Sequence, residues 1–260
     1  SKNPAVVCAE ETNPTFTAVA TTGQISWYTE DPGTSGIPTT PQQATGSSYV
    51  PQITAVGEHT IWAIKYDNGC YSTRSSLNLT IRQIPTAPTT TSLAICSGEP
   101  NTQSLKASGE SNAYFNWYAD DAKERRLVTN SEGWLSSETG IGNYSYYATQ
   151  VVGDCESPVS EAIFTIKPLP SAPVINNQKN LCEYDAAPTL QVIGTDIQWY
   201  AADKTTKLTS GETYEMGDMS VGSKKYYATQ TVDGCEGAKA LISFNVFAKP
   251  TSPTVIGARV

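Results

Sequence analysis

Histidine is nearly absent from this chain: His59 is the only one in 260 residues. A catalytic triad built on histidine has a single residue to draw on, so hydrolysis of that kind is not expected. His59 has no counterpart elsewhere in the chain, where Ser145 and Lys225 stand nearby, and it reads as an ordinary surface residue. No G-x-S-x-G or other nucleophile motif occurs. No C-x-x-C and no dense Asp/Asn/Gly loop of EF-hand type occurs either, so no metal and no cofactor is expected. Basic residues are in deficit, 17 against 25 acidic, for a net charge of -8. That balance argues against nucleic acid and against an anionic membrane surface. The sequence has no run of 18 apolar residues to span a bilayer, so no direct membrane insertion is expected. It also lacks a sustained 3.6-residue apolar period, a signal peptide and any low-complexity tract.

What is present is repetition. Trp117-Tyr118-Ala119-Asp120 returns as Trp199-Tyr200-Ala201-Ala202-Asp203, and Tyr146-Tyr147-Ala148-Thr149-Gln150 returns as Tyr226-Tyr227-Ala228-Thr229-Gln230. Gly153-Asp154-Cys155-Glu156 returns as Asp233-Gly234-Cys235-Glu236. A more diverged first copy carries Trp27-Tyr28, Trp62-Ala63-Ile64 and Asn68-Gly69-Cys70. The leading cysteines, Cys8, Cys96 and Cys182, stand 88 and 86 residues apart. So long a period marks serial domains and not solenoid units of about 20–50 residues. We delimit repeat one at 1–84, repeat two at 85–168 and repeat three at 169–249. Residues 250–260 then form a linker and the start of a further repeat. Catalytic machinery is seldom built three times over, so the chain is not expected to be an enzyme.

Short β-branched and aromatic segments separated by Gly, Asn, Asp, Ser and Pro clusters read as strands. In repeat two the expected strands lie near 91–96, 103–108, 113–119, 125–129, 133–136, 144–152 and 159–167. Seven strands in about 85 residues, with a tryptophan between two cysteines, predict an all-β chain of three tandem immunoglobulin-like sandwiches. Domains this small need staples. One disulfide is expected inside each repeat: Cys8 with Cys70, Cys96 with Cys155, and Cys182 with Cys235. Each would tie the first strand to the turn after the Tyr-Tyr strand and stabilise its domain by roughly 4 kcal/mol. Paired cysteines imply an oxidising, extracellular compartment. The Pro-rich linkers Ile84-Pro85-Thr86-Ala87-Pro88 and Leu169-Pro170-Ser171-Ala172-Pro173 are stiff, so an extended rod on the order of 100–130 Å is expected. Lys249-Pro250-Thr251-Ser252-Pro253 repeats the linker pattern. The chain is therefore expected to be a mature segment of a longer exported array.

Five tryptophans invite a carbohydrate-binding reading, but each has an aromatic counterpart in every copy. Trp27, Trp117 and Trp199 share one position, expected to be the core tryptophan. Trp62 aligns with Tyr147 and Tyr227, and Trp134 with Tyr49 and Tyr214. Adjacent tyrosines on a strand face opposite ways, which leaves Tyr146 and Tyr226 as candidates for facing a ligand. The acids after the core tryptophan (Glu30, Asp31, Asp120, Asp121, Asp203) read as polar hairpin turns.

Together these motifs resemble the immunoglobulin-like repeats of large Bacteroidetes surface proteins. That group includes gliding-motility adhesins of the SprB kind and polysaccharide-degrading proteins that carry such repeats as spacers. The resemblance covers nearly the whole chain and is strongest from Trp117 to Glu156 and from Trp199 to Glu236. It implies export by the type IX secretion system and display on the cell surface. The partners it implies are other repeats of the same chain and either a polysaccharide or an abiotic surface. It brings no catalytic residues.

Overall fold

A computed structural model of the chain describes residues 4–34, 36–176 and 180–257. Every regular element among them is a strand. The last three residues of the expected further repeat, 258–260, lie outside the described residues.

Strand formation follows the alternation written in the sequence. In the strand Ala240–Phe247 the residues Ala240, Ile242, Phe244 and Val246 point inward while their neighbours face outward. Ser160–Lys167 does the same with Ala162, Phe164 and Ile166. Period two along a strand puts alternate side chains on one face, which suits a sheet buried on one side. Each of the seven strands expected in repeat two has an observed counterpart, from Leu93–Cys96 to Ser160–Lys167.

The larger sheet has the same order in each copy. In repeat three it runs Leu181–Cys182, Ala240–Phe247, Gly222–Thr229, Gln198–Tyr200, Lys207–Ser210. The first of these pairs in parallel with the last strand of its repeat, and the remaining pairings are antiparallel. A smaller three-stranded sheet, Val174–Ile175, Thr189–Ile193 and Thr213–Glu215, completes the sandwich. Two such sheets over one core make an immunoglobulin-like sandwich, and the chain contains three in tandem.

The chain divides into two compact units. One comprises Ser1–Ser92, Ser104–Leu135 and Ser145–Ile163; it holds the first copy and much of the second. Its core includes Phe16, Ile25, Trp27, Ile61, Leu79 and Ile81. The other comprises Leu93–Gln103, Ser136–Tyr144 and Phe164–Val260, with a core around Leu190, Val192, Trp199, Ile242 and Phe244. Trp27, Trp117 and Trp199 are each 0% exposed. Each indole N–H donates to a backbone carbonyl: Gly46 at 2.8 Å, Ser131 at 3.2 Å and Gly211 at 2.8 Å. Burying each of these rings contributes roughly 4–6 kcal/mol before entropy is subtracted, and the carbonyl contact removes the cost of an unpaired N–H.

Candidate functional site at the repeat junctions

The cysteines do not pair within repeats. Cys8 is bonded to Cys155 and Cys96 to Cys235, each with its Cα atoms 5.6 Å apart. Cys70 and Cys182 are free thiols, both exposed. This corrects the expected pairs Cys8–Cys70, Cys96–Cys155 and Cys182–Cys235, and the reason lies in strand direction. Cys8 stands opposite Arg82 in a parallel ladder with the last strand of its repeat, Ser75–Arg82. Cys70 stands at the other end of that strand, on the preceding hairpin. Eight residues of strand span roughly 26 Å, while a disulfide requires Cα atoms within about 7 Å. Cys8 therefore sits at the exit end of repeat one, where the entry hairpin of repeat two meets it.

Both junctions use the same parts. The leading cysteine ends a strand whose amide is capped by an acid three residues on. Cys8 N–H donates to Glu11 Oε2 at 3.0 Å and Cys96 N–H to Glu99 Oε2 at 3.1 Å. The receiving cysteine follows a two-residue turn with both residues at positive φ: Gly153 and Asp154, then Asp233 and Gly234. That is the hairpin geometry for which Gly with Asp or Asn is suited. A cation at the end of the earlier repeat's last strand reaches the same turn. Arg82 Nη1 donates to the Gly153 carbonyl, and Lys167 Nζ to the Asp233 carbonyl at 2.8 Å. A Cβ on Gly153 would come within 2.7 Å of Arg82 Nη1, so a side chain at that position would displace the cation. A glutamine five residues before the receiving cysteine ties down the linker. Gln150 Nε2 donates to the Thr86 carbonyl at 2.7 Å and Gln230 Nε2 to the Ser171 carbonyl at 2.9 Å. The amide oxygens of these glutamines accept from the Glu110 and Thr195 N–H groups at 2.8 and 3.1 Å.

The residue after the receiving cysteine fixes the hairpin to its own sheet. Glu156 Oε1 accepts from Tyr118 Oη at 2.6 Å, Thr149 Oγ1 at 2.5 Å and Asn116 Nδ2 at 3.2 Å. Glu236 Oε1 accepts from Tyr200 Oη at 2.6 Å and Thr229 Oγ1 at 2.8 Å. Burial works to raise the Glu156 pKa, but the bonds from Thr149, Tyr118 and Asn116 outweigh it and hold it below the ordinary value. The Tyr200 bond does most to lower Glu236. Burial raises Tyr118 and Tyr200, and their glutamate partners push the same way. In repeat one Tyr71 occupies the glutamate position and packs on Tyr66 with ring centroids 4.6 Å apart.

Of the junction residues, Arg82 and Lys167 were not named from sequence, and Gln150, Gln230, Glu156 and Glu236 appeared only as members of the repeated motifs, with no role assigned. Their signal was available, because Gln and Glu flank the receiving cysteine at equal spacing in two copies. Tyr146 and Tyr226, expected as possible ligand-facing residues, turn inward instead. Tyr146 is buried with its ring 6.1 Å from Trp134. Tyr226 packs against the core of repeat three, 5.2 Å from Tyr214. Register explains it: Trp117 faces Ala148 and Trp199 faces Ala228 across the sheet, and directly opposed residues share a face. Tyr146 and Tyr226, two residues earlier, therefore join the tryptophan side.

The acids after the core tryptophan accept from turn amides. Asp120 takes the Glu124 and Arg125 N–H groups at 2.8 and 2.9 Å. Asp203 takes the Thr205 and Thr206 N–H groups at 2.9 Å each, and the Thr206 hydroxyl and these amides lower its pKa to about 2. His59 Nε2 lies 2.7 Å from the Ala55 carbonyl. Among the described residues no group of His, Cys, Asp or Glu is placed to hold a metal ion. Shallow grooves recur beside the receiving hairpins. One of about 360 Å³ is lined by Asn116, Arg126 and Glu156, and one of about 540 Å³ by Gln198, Tyr200, Lys207 and Glu236.

A family model described as an Ig-like domain, CHU_C associated, matches residues 170–250. No curated protein matches the chain. Among solved structures, an I-band fragment from titin is similar at 14% identity, covering 95% of this chain and 96% of its own, with a TM-score of 0.40. A tandem from titin gives 12% identity, 96% and 98% coverage and a TM-score of 0.32. Immunoglobulin domains 1-4 of Sidekick-1 give 13% identity, 95% and 72% coverage and a TM-score of 0.23.

Proposed function

We propose that this chain is a repeat segment of a long cell-surface adhesin filament. It would be exported by the type IX system and give reach and attachment during gliding. The observation that carries this reading is the covalent link between successive repeats through Cys8–Cys155 and Cys96–Cys235. A binding or catalytic module has little use for a bond that welds it to its neighbour, whereas a filament under tension does. Disulfides also fit an oxidising, extracellular location, and the CHU_C-associated match over residues 170–250 fits a repeat of this kind. The role is mechanical and not enzymatic. The partners are other repeats, with a polysaccharide or an abiotic surface at the point of attachment. In-frame deletion of residues 1–260 tests it, with surface labelling to confirm that the remaining protein is exported. Shortened filaments and reduced attachment and gliding are expected. Unchanged attachment with impaired polysaccharide breakdown would sink the reading.

The second reading is a spacer or carbohydrate-binding region of a secreted polysaccharide-degrading enzyme. The recurring polar grooves beside Glu156 and Glu236 favour it. Saturable polysaccharide binding by this chain, lost on Arg126→Ala or Lys207→Ala, would support it.

A further inference from the structure

We infer that Cys70 and Cys182 are half-sites of the same staple, each built to bond a cysteine of another repeat of this kind. Cys182 would take the hairpin cysteine of a following repeat, and Cys70 the leading-strand cysteine of a preceding one. The inference is independent of what the filament attaches to.

Both thiols stand in the backbone setting of their bonded counterparts. Cys182 pairs with Phe247 as Cys8 pairs with Arg82 and Cys96 with Lys167. Its N–H donates to Asp185 Oδ2 at 2.8 Å, matching the acid caps at Cys8 and Cys96. The residue two positions on has positive φ in all three: Glu10 at 71°, Gly98 at 86° and Tyr184 at 69°. On the other side, Cys70 pairs with Asp67 as Cys155 pairs with Val152 and Cys235 with Val232. The turn before it, Asn68-Gly69, has φ of 49° and 82°, against 55° and 76° before Cys155 and 52° and 84° before Cys235. The local structure of a bonded cysteine is therefore in place at both free positions.

Burial separates the bonded from the free. Cys155 and Cys235, bonded to Cys8 and Cys96, are 0% exposed, and the equivalent Cys70 is exposed. Large apolar side chains beside the free thiols are left in solvent: Tyr66 and Tyr71 near Cys70, and Tyr184 and Phe247 near Cys182, at 40%, 37%, 84% and 52%. A docked repeat would remove this surface from water. Two thiols joining as a disulfide release two protons and two electrons. A protein or small-molecule disulfide accepts them and is reduced to two thiols, the exchange by which disulfides generally form.

A concatemer tests this. Joining Pro253 of one copy to Ser1 of the next sets a cysteine eight residues after the linker proline, as Cys96 follows Pro88. Non-reducing peptide mapping is expected to find Cys182 of the first copy bonded to Cys70 of the second. Free thiols should fall from two per copy to one. In parallel, the unmodified chain is incubated at high concentration in oxidised glutathione. Head-to-tail ladders containing the Cys70–Cys182 peptide are expected, and Cys70→Ser should abolish them. Absence of that peptide in both formats overturns the inference. So does predominance of symmetric Cys70–Cys70 and Cys182–Cys182 bonds. The Cys8–Cys155 and Cys96–Cys235 peptides in the same digests report that each copy has folded.

Discussion

Cys8 lies opposite Arg82 in a parallel ladder, and that pairing directs its sulfur out of its own repeat. Arg82 and Cys8 act on one hairpin of the next repeat, Arg82 on the Gly153 carbonyl and Cys8 on Cys155. The exposed Arg82–Asp154 ion pair, 3.9 Å apart, adds little at a solvated surface. The disulfides dominate, because they close loops of 147 and 139 residues, worth about 5 kcal/mol each by chain entropy.

The first prediction is mechanical. With both disulfides intact, tension applied at the chain ends crosses from Cys8 to Cys155, runs back along the chain to Cys96 and crosses to Cys235. The segments outside that path bear no load even when unfolded. On the order of 300 Å can then be drawn out, against about 900 Å for the reduced chain, at about 3.5 Å per residue. Single-molecule pulling should show roughly a threefold gain in final contour length on adding a reductant. Had the bonds lain within repeats, shortening each domain separately, the oxidised traces would show three equal, truncated unfolding steps.

Stability distinguishes the two pairings as well. Cys8→Ser with Cys155→Ser should lower the urea midpoint of the unit that contains them, by an amount equal to about 2–5 kcal/mol. Cys70→Ser, at an exposed free thiol, should leave it unchanged within about 0.5 kcal/mol. An equal loss from Cys70→Ser would restore the intra-repeat pairing.

The glutamates under the hairpins predict an acid limb. Glu156 and Glu236 are held below the ordinary carboxylate value of 4.5 in the fold. A depressed folded pKa gives stability that is full above the unfolded value and lost as pH falls through the folded one. Thermal melts should therefore drop below about pH 4.5, and the double variant Glu156→Gln, Glu236→Gln should flatten that drop while lowering stability near pH 7. At the alkaline end, Tyr118 and Tyr200 are raised above 10.0. Their contribution is complete below that pH and lost as pH rises through the folded values. A melt profile flat from pH 3 to 7 in the unmodified chain would contradict the glutamate argument.

How much of this was legible in the sequence varies with the range of the interaction. Strands and the buried tryptophans were readable, because period-two alternation and three matching copies express local and within-repeat constraints. The disulfide partners were not, because every copy offers the same two cysteine positions. Linear spacing cannot separate pairing within a repeat from pairing to the next one. What decides it is the parallel alignment of Ala5–Cys8 with Ser75–Arg82, a long-range choice with no mark in either segment. The tyrosine pairs failed for a related reason. Alternation says that Tyr146 and Tyr147 face opposite ways, but which one meets the core depends on the register with Trp117.

That register yields the last prediction. Tyr147 stands opposite Tyr118, and Tyr227 opposite Tyr200, on the other face of the sheet from Trp117 and Trp199. Lys204 Nζ lies 5.2 Å from the Tyr227 ring there. Tyr146→Ala should cost about 3 kcal/mol through the cavity it leaves beside Trp134, and Tyr226→Ala should destabilise repeat three in the same direction. Tyr147→Ala and Tyr227→Ala remove partly exposed rings and should cost less than half as much in matched urea titrations. Any loss of polysaccharide binding in the Tyr146 or Tyr226 variants must therefore be read against their unfolding curves. A variant at either position that stays fully stable yet stops binding would return these tyrosines to the surface and break the register argument.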